Sequence, residues 1–370
     1  MHSSERRRFL QGLLALISMP ATSLAQRSFA LLSPTQSRPF YMLVLGDSVV
    51  WGQGIQEENK FYSLVKERIA TELLPNREVH QLNLSHSGAN ILPKNKPCPS
   101  LPGEVPIGTP TIYTQMTAAL SIYASAGIKP EDVNLVLLNG GINDIGFPTI
   151  VNPFTKEKKI VELSKKYCFE EMKKLLGLMA GKFPNAWLLT TGYYPIISQK
   201  TDPDVIPNLI SAFLGLPKGQ EIIRKSAKEQ KEQLKRAQKT NPQNFISPNW
   251  LIDRLTSLSD QWKRSSDADL EAAAKTVARG RFAKVEFSPD ECYAANNSHL
   301  WRITGSGGGL GNLVTDDQMF LPRQETCRLV RPDLNSQAQL ICPVAGTGHP
   351  NVKGAKKYAD AITMKLKEIL

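Results

Sequence analysis

The sequence predicts an α/β protein: a three-layer α/β/α sandwich with a mostly parallel central sheet and a helical insertion late in the chain. Two observations carry this. Five short apolar runs each end in a turn or polar cluster, and stretches of helical period separate most of them. Apolar runs without polar alternation mark strands buried on both faces, and strand–helix alternation builds a parallel sheet covered on both sides.

In chain order, the first strand is placed at 41–47, within "YMLVLGDSVVWGQG" at 41–54, where an apolar run stops abruptly at Gly-Asp-Ser. A helix follows at 58–73, where Phe61, Leu64, Val65 and Ile69 recur at the helical period. The second strand spans 78–84. Residues 93–110 hold six prolines and read as an irregular loop. A helix at 111–126, a strand at 133–139, a helix at 162–181 and a strand at 186–192 continue the alternation. Residues 196–282 form a long insertion, in which Ile222, Ile223, Ala227, Leu234 and Ala237 make a narrow apolar stripe on a charged helix; it is read as a helical cap. A fifth strand at 283–287 and a helix at 351–368 close the domain, taken as 40–370.

The first 25 residues, "MHSSERRRFLQGLLALISMPATSLA", are set apart. A basic start at Arg6–Arg8, an apolar segment too short to span a bilayer and a small-residue end read as an export leader of the twin-arginine type. Cleavage is expected after Ala25, leaving 26–39 as a lead-in and placing the mature chain in the periplasm or outside the cell, without a transmembrane segment. The full chain carries a net charge of +11. Its densest charged run, "KGQEIIRKSAKEQKEQLKRAQK", mixes both signs at helical spacing, the pattern of a solvated face, so nucleic acid is not an expected partner. Five cysteines, at 98, 168, 292, 327 and 342, suit an exported protein with one or two disulfides, one of them stapling the segment before the C-terminus. A zinc set of Cys292, His299, Cys327 and Cys342 is the sharper alternative, but no CxxC or HxxxH spacing supports it.

Chemistry-bearing residues gather just past the predicted strands. Ser48 follows the first, Gly88 in "NLSHSGAN" the second, and Asn143 in "LVLLNGGINDIG" the third, while His349 in "GTGHPNVKG" precedes the last helix. A parallel sheet brings such loops to one edge. The four blocks, "GDS", a glycine, "GIND" and "HPNVKG", occur in the order of the SGNH/GDSL hydrolases, and the chain resembles that family of esterases and lipases from Ser48 to His349. No GxSxG elbow and no phosphate-binding GxGxxG or GxxxxGK motif is present.

The resemblance implies a flavodoxin-like sandwich and carboxylic ester hydrolysis. Ser48 is the expected nucleophile and His349 the general base, with the backbone N–H groups of Ser48 and Gly88 and the Asn143 amide forming an oxyanion hole. These residue types suit the chemistry on physical grounds, because a serine hydroxyl needs a base near neutral pH and a developing oxyanion needs donors aimed in advance. Asp47 and Asp144 are read as loop-holding residues, and Trp301 either as a wall of the substrate pocket or as a buried core tryptophan. The expected partner is a small-molecule, lipid or O-acyl glycan ester; no metal or organic cofactor is implied, and a monomer is expected.

One position departs from the family. The aspartate expected three residues before the histidine is Gly346. Two arrangements stay open: a backbone carbonyl between Val344 and Thr347 orients His349, giving a Ser–His dyad, or a carboxylate from the 196–330 region does so and restores a full triad. The same departure supports an alternative, a non-catalytic glycan- or lipid-binding protein on this scaffold. An acyltransferase would use the same residues.

Overall fold

A computed structural model describes residues 38–93, 101–106, 111–214, 216–240, 250–304, 314–330 and 341–370. The export leader, most of the lead-in, Cys98 and much of the proline-rich loop lie outside the described residues.

The centre is a five-stranded, wholly parallel sheet: β1 (Phe40–Leu45), β2 (Val79–Asn83), β3 (Val133–Leu138), β4 (Trp187–Thr191) and β5 (Gly280–Ala283), in the order β2-β1-β3-β4-β5. Met42–Leu45 and Leu135–Leu138 are fully buried, as uniformly apolar runs require when helices cover both faces. The order reverses direction across β1, which has β2 on one side and β3 on the other. Loops leaving these carboxyl ends diverge and open a crevice.

The first strands lie within a residue or two of their predicted spans; the fifth does not. Its ladder ends with Thr191↔Ala283, where β4 itself ends, so 284–287 has no partner to pair with. Val285 and Phe287 are buried side chains on unpaired backbone, and their alternation mimics a strand.

The helices are α1 (Ser48–Trp51), α2 (Phe61–Arg68), α3 (Ile112–Ser125), α4 (Ile142–Ile145), α5 (Phe147–Ile150), α6 (Glu157–Ser164), α7 (Met172–Lys182), α8 (Ile206–Leu214), α9 (Leu216–Thr240), α10 (Trp250–Ala274), α11 (Phe320–Val330) and α12 (Val352–Lys367). π-helical turns extend α2 and join α6 to α7. Asp47, Thr111 and Asn351 cap α1, α3 and α12 by accepting first-turn N–H groups. α8–α10 fill most of the predicted insertion, but α10 is no cap. It buries Leu255, Leu258, Trp262 and Leu270 and packs on β4, β5, α6 and α7, which makes it part of one helical layer. On α9, Ile222 is buried whereas Ala227 is exposed, so the inward face of the stripe is shorter than its sequence suggests.

Cys327 and Cys342 form a disulfide across a sequence separation of 15, tying α11 to the short 3-10 turn ahead of His349. Those two sulfurs are therefore unavailable to the alternative zinc set. Cys168 and Cys292 are buried free thiols. No described helix is long and apolar enough to cross a membrane.

Candidate active site

The β1 strand runs through Gly46 into the α1 cap, and this places Ser48 at the first position of α1. Gln115 of α3 braces the turn by accepting from the Gly46 N–H at 2.8 Å and donating to the Gly46 carbonyl at 2.9 Å. Asp47 is fully buried; its Oδ1 accepts from the Val49 N–H at 2.9 Å and its Oδ2 from the Tyr193 hydroxyl at 2.7 Å. Burial pushes the Asp47 carboxyl up to about 6, against the lowering effect of the Tyr193 and Val49 bonds. Asp144 similarly receives the Ile91 N–H at 3.0 Å. Both aspartates thus hold backbone in place, as their sequence context suggests.

Ser48 Oγ and His349 Nε2 lie 2.7 Å apart, 301 residues distant in sequence. His349 is held by its surroundings through backbone. The Trp301 N–H donates to the His349 carbonyl and the Gly348 N–H to the Trp301 carbonyl, both at 2.9 Å. Leu300 and Pro350 form an antiparallel bridge, and the Tyr194 hydroxyl donates to the Gly348 carbonyl at 2.8 Å. The imidazole is half-buried overall. Its Nε2 edge meets Ser48, while Nδ1 is fully buried without a hydrogen-bond partner among the described residues. Burial lowers its pKa to about 4; the backbone of Gly346 and Thr347 acts in the opposite sense and Arg323 in the same one. The ring is therefore neutral, and its nitrogen free to accept a proton, across the neutral range.

Gly88 and Asn143 border the same space as Ser48. Gly88 has φ +79°, a left-handed conformation that favours glycine. The Asn143 amide donates one hydrogen to the Ala89 carbonyl at 3.0 Å, which fixes its orientation and leaves a second hydrogen. The Ser48 and Gly88 N–H groups have no acceptor among the described residues. Ser48, Gly88 and Asn143 thus line one pocket together with His349.

A pocket of about 140 Å³ opens from Ser48 and His349. Its walls are mainly apolar, with Val49, Ile142, Phe147, Tyr194, Phe213 and Ile341 among them. Phe147 and Phe213, with ring centroids 4.4 Å apart, bring α5 and α8 together at this wall. Trp301 is not part of the lining. It is buried in the main core, and its contribution to the site is the pair of backbone bonds to the histidine turn.

No motif in the sequence marks Tyr193, Gln115 or the buried cluster of Gln53, Glu104, Asp317 and Arg323 behind the site. Tyr193 follows β4 in "TTGYYP", a strand-tip position like those of the four motifs. Gln115 lies in the first turn of α3 and carries no comparable signal.

No known protein-family profile matches the chain, and no curated protein does. Among solved structures, it is similar to an extracellular lipase from Streptomyces rimosus, at 12% identity over 88% of this chain and 99% of that one, with a TM-score of 0.42. It is similar to a phospholipase A1 from Streptomyces albidoflavus NA297, at 12% identity over 88% and 99% of the two chains, with a TM-score of 0.43. A lipase from a goat rumen metagenome is similar at 12% identity over 88% and 96%, with a TM-score of 0.40.

Proposed function

We propose that this protein is a serine hydrolase of the SGNH/GDSL type that cleaves carboxylic esters and acts outside the cytoplasm. One observation carries the reading. The Ser48 hydroxyl sits 2.7 Å from a neutral imidazole, at the mouth of an apolar pocket and beside three potential N–H donors. In this mechanism His349 Nε2 takes the Ser48 proton as Oγ attacks the ester carbonyl. The oxyanion receives hydrogen bonds from the Ser48 and Gly88 N–H groups and the Asn143 amide. His349 then returns the proton to the leaving alcohol, and the ester carbonyl carbon stays on Oγ. Water, deprotonated by the same nitrogen, releases the acid and restores the serine.

Among the described residues no side-chain acid accepts from Nδ1, which supports a Ser48–His349 dyad. The pocket's apolar lining supports an acyl chain as the group it holds. The leader supports export.

The test is mass-spectrometric mapping of a fluorophosphonate adduct alongside hydrolysis of a short p-nitrophenyl ester. Label on Ser48 is expected, with hydrolysis abolished in Ser48→Ala. The acidic limb of kcat/KM should lie below 6.5, the ordinary imidazole value, towards 4. Label on another serine, with none on Ser48, would overturn the assignment.

A further inference from the structure

Arg323 is fully buried, and each nitrogen of its guanidinium donates a hydrogen bond. Nη1 donates to Glu104 Oε2 at 3.0 Å, Nη2 to Asp317 Oδ2 at 2.5 Å, and Nε to the Pro343 carbonyl at 2.7 Å. Pro343 lies in the 3-10 turn Cys342–Val344, which leads into the turn before His349. On the other side, Gln53 Nε2 donates to Glu104 Oε2 at 2.8 Å, and the Gln53 amide oxygen accepts from the hydroxyl of Ser87, the neighbour of Gly88. One buried polar chain therefore links the loop of an oxyanion donor to the loop of the base.

The cluster also accounts for Gly346. A Cβ at that position would lie 2.8 Å from the Asp317 carboxyl carbon, closer still to Oδ2, and 3.3 Å from Arg323 Nη2. Gly346 does not have a positive φ, so the obstacle to a side chain is space. Asp317 and Arg323 occupy the room that an acid in the histidine motif would need.

We propose that Arg323 and Asp317 are positioning residues for His349: the buried pair braces the histidine turn from outside the motif, in place of a side chain at 346. This rests on the hydrolase reading above. The α11 helix supplies Arg323 and is itself tied to the turn by the Cys327–Cys342 disulfide. The charged groups that act on the imidazole are Arg323, which disfavours the imidazolium, and Asp317, which favours it. Glu104 faces Arg323 from the 101–106 loop, and Lys60 acts on Glu104 in turn. Neutralising Asp317 leaves the Arg323 charge less compensated beside the base.

The experiment compares full-length wild type with Asp317→Asn and Gly346→Ala. It follows imidazole titration by NMR, steady-state hydrolysis and the rate of fluorophosphonate labelling, with near-UV circular dichroism reporting the fold. In Asp317→Asn, the His349 titration should move down by ~0.5 unit or more. Its kcat should fall about tenfold with KM little changed. Gly346→Ala should slow Ser48 labelling about tenfold or more by pushing the carboxylate and the turn apart. A folded Asp317→Asn with unmoved titration and kcat would overturn the proposal, as would Gly346→Ala labelled at the wild-type rate. If Asp317→Asn fails to fold, Gly346→Ala decides. If the wild type neither hydrolyses ester nor takes the label, the hydrolase reading fails, and the His349 titration still judges the brace.

Discussion

Tyr193→Phe removes one oxygen that serves two loops of the site. The hydroxyl donates to Asp47 Oδ2 at 2.7 Å and accepts the Ile142 N–H at 3.3 Å, so it joins the Ser48 turn to the Asn143 turn inside a fully buried setting. A hydrogen bond to a charged group contributes about 1.5–3 kcal/mol, and a buried N–H left without an acceptor costs about 1–3 kcal/mol. The longer Ile142 contact is the weaker of the two, so we expect a loss of about 3 kcal/mol at pH 8. The pH dependence has a definite sign. The Asp47 carboxyl titrates at about 6 in the fold against an ordinary 3.8, so the folded state keeps a proton that the unfolded chain has lost, and this group's contribution to stability declines as pH rises through that window. Removing the Tyr193 hydroxyl raises the Asp47 value further and extends the decline upward. At pH 5 most of the wild-type Asp47 is already protonated, and only a neutral hydrogen bond of about 1 kcal/mol is lost there with the Ile142 contact. The penalty in urea unfolding should therefore be larger at pH 8 than at pH 5, by about 1–2 kcal/mol. A penalty below about 0.5 kcal/mol, or one equal at the two pH values, would refute this reasoning.

Asn143→Ala should lower kcat by about 10²–10³ with less change in KM, because its free amide hydrogen acts chiefly on the developing oxyanion; steady-state kinetics on a short ester reads the split. Replacing Cys327 and Cys342 by serine should cost about 3 kcal/mol in denaturant unfolding, the loop-closure value for a separation of 15 residues. Phe213→Ala removes half of the Phe147–Phe213 wall, and the resulting space should shift the preferred acyl chain towards longer or bulkier p-nitrophenyl esters, measured as kcat/KM across a chain-length series.

The sequence by itself determined the sheet and the edge of it at which its four motifs meet, because both depend on short-range patterns. Uniform apolar runs such as Met42–Leu45 can be buried only between two layers, and motifs just past such runs must meet at the carboxyl edge of a parallel sheet. The convergence of Ser48, Gly88, Asn143 and His349 on one pocket was legible for that reason. Where a pattern was ambiguous, pairing decided: Val285 and Phe287 alternate like a strand but lie past the last residue β4 can offer. Only the tertiary structure showed that α10 belongs to the helical layer, because a 25-residue amphipathic helix packs as well on a sheet as on a lid. It alone showed what stands behind the base. Asp317 and Arg323 are 29 and 23 residues from Gly346 in sequence and carry no motif. Their carboxylate and guanidinium occupy the room a side chain at 346 would need, and that juxtaposition comes from long-range packing of α11 against the histidine turn. A buried guanidinium must find all its partners at once, and the partners of Arg323 come from segments 219, 6 and 20 residues away, a constraint that only the folded chain expresses.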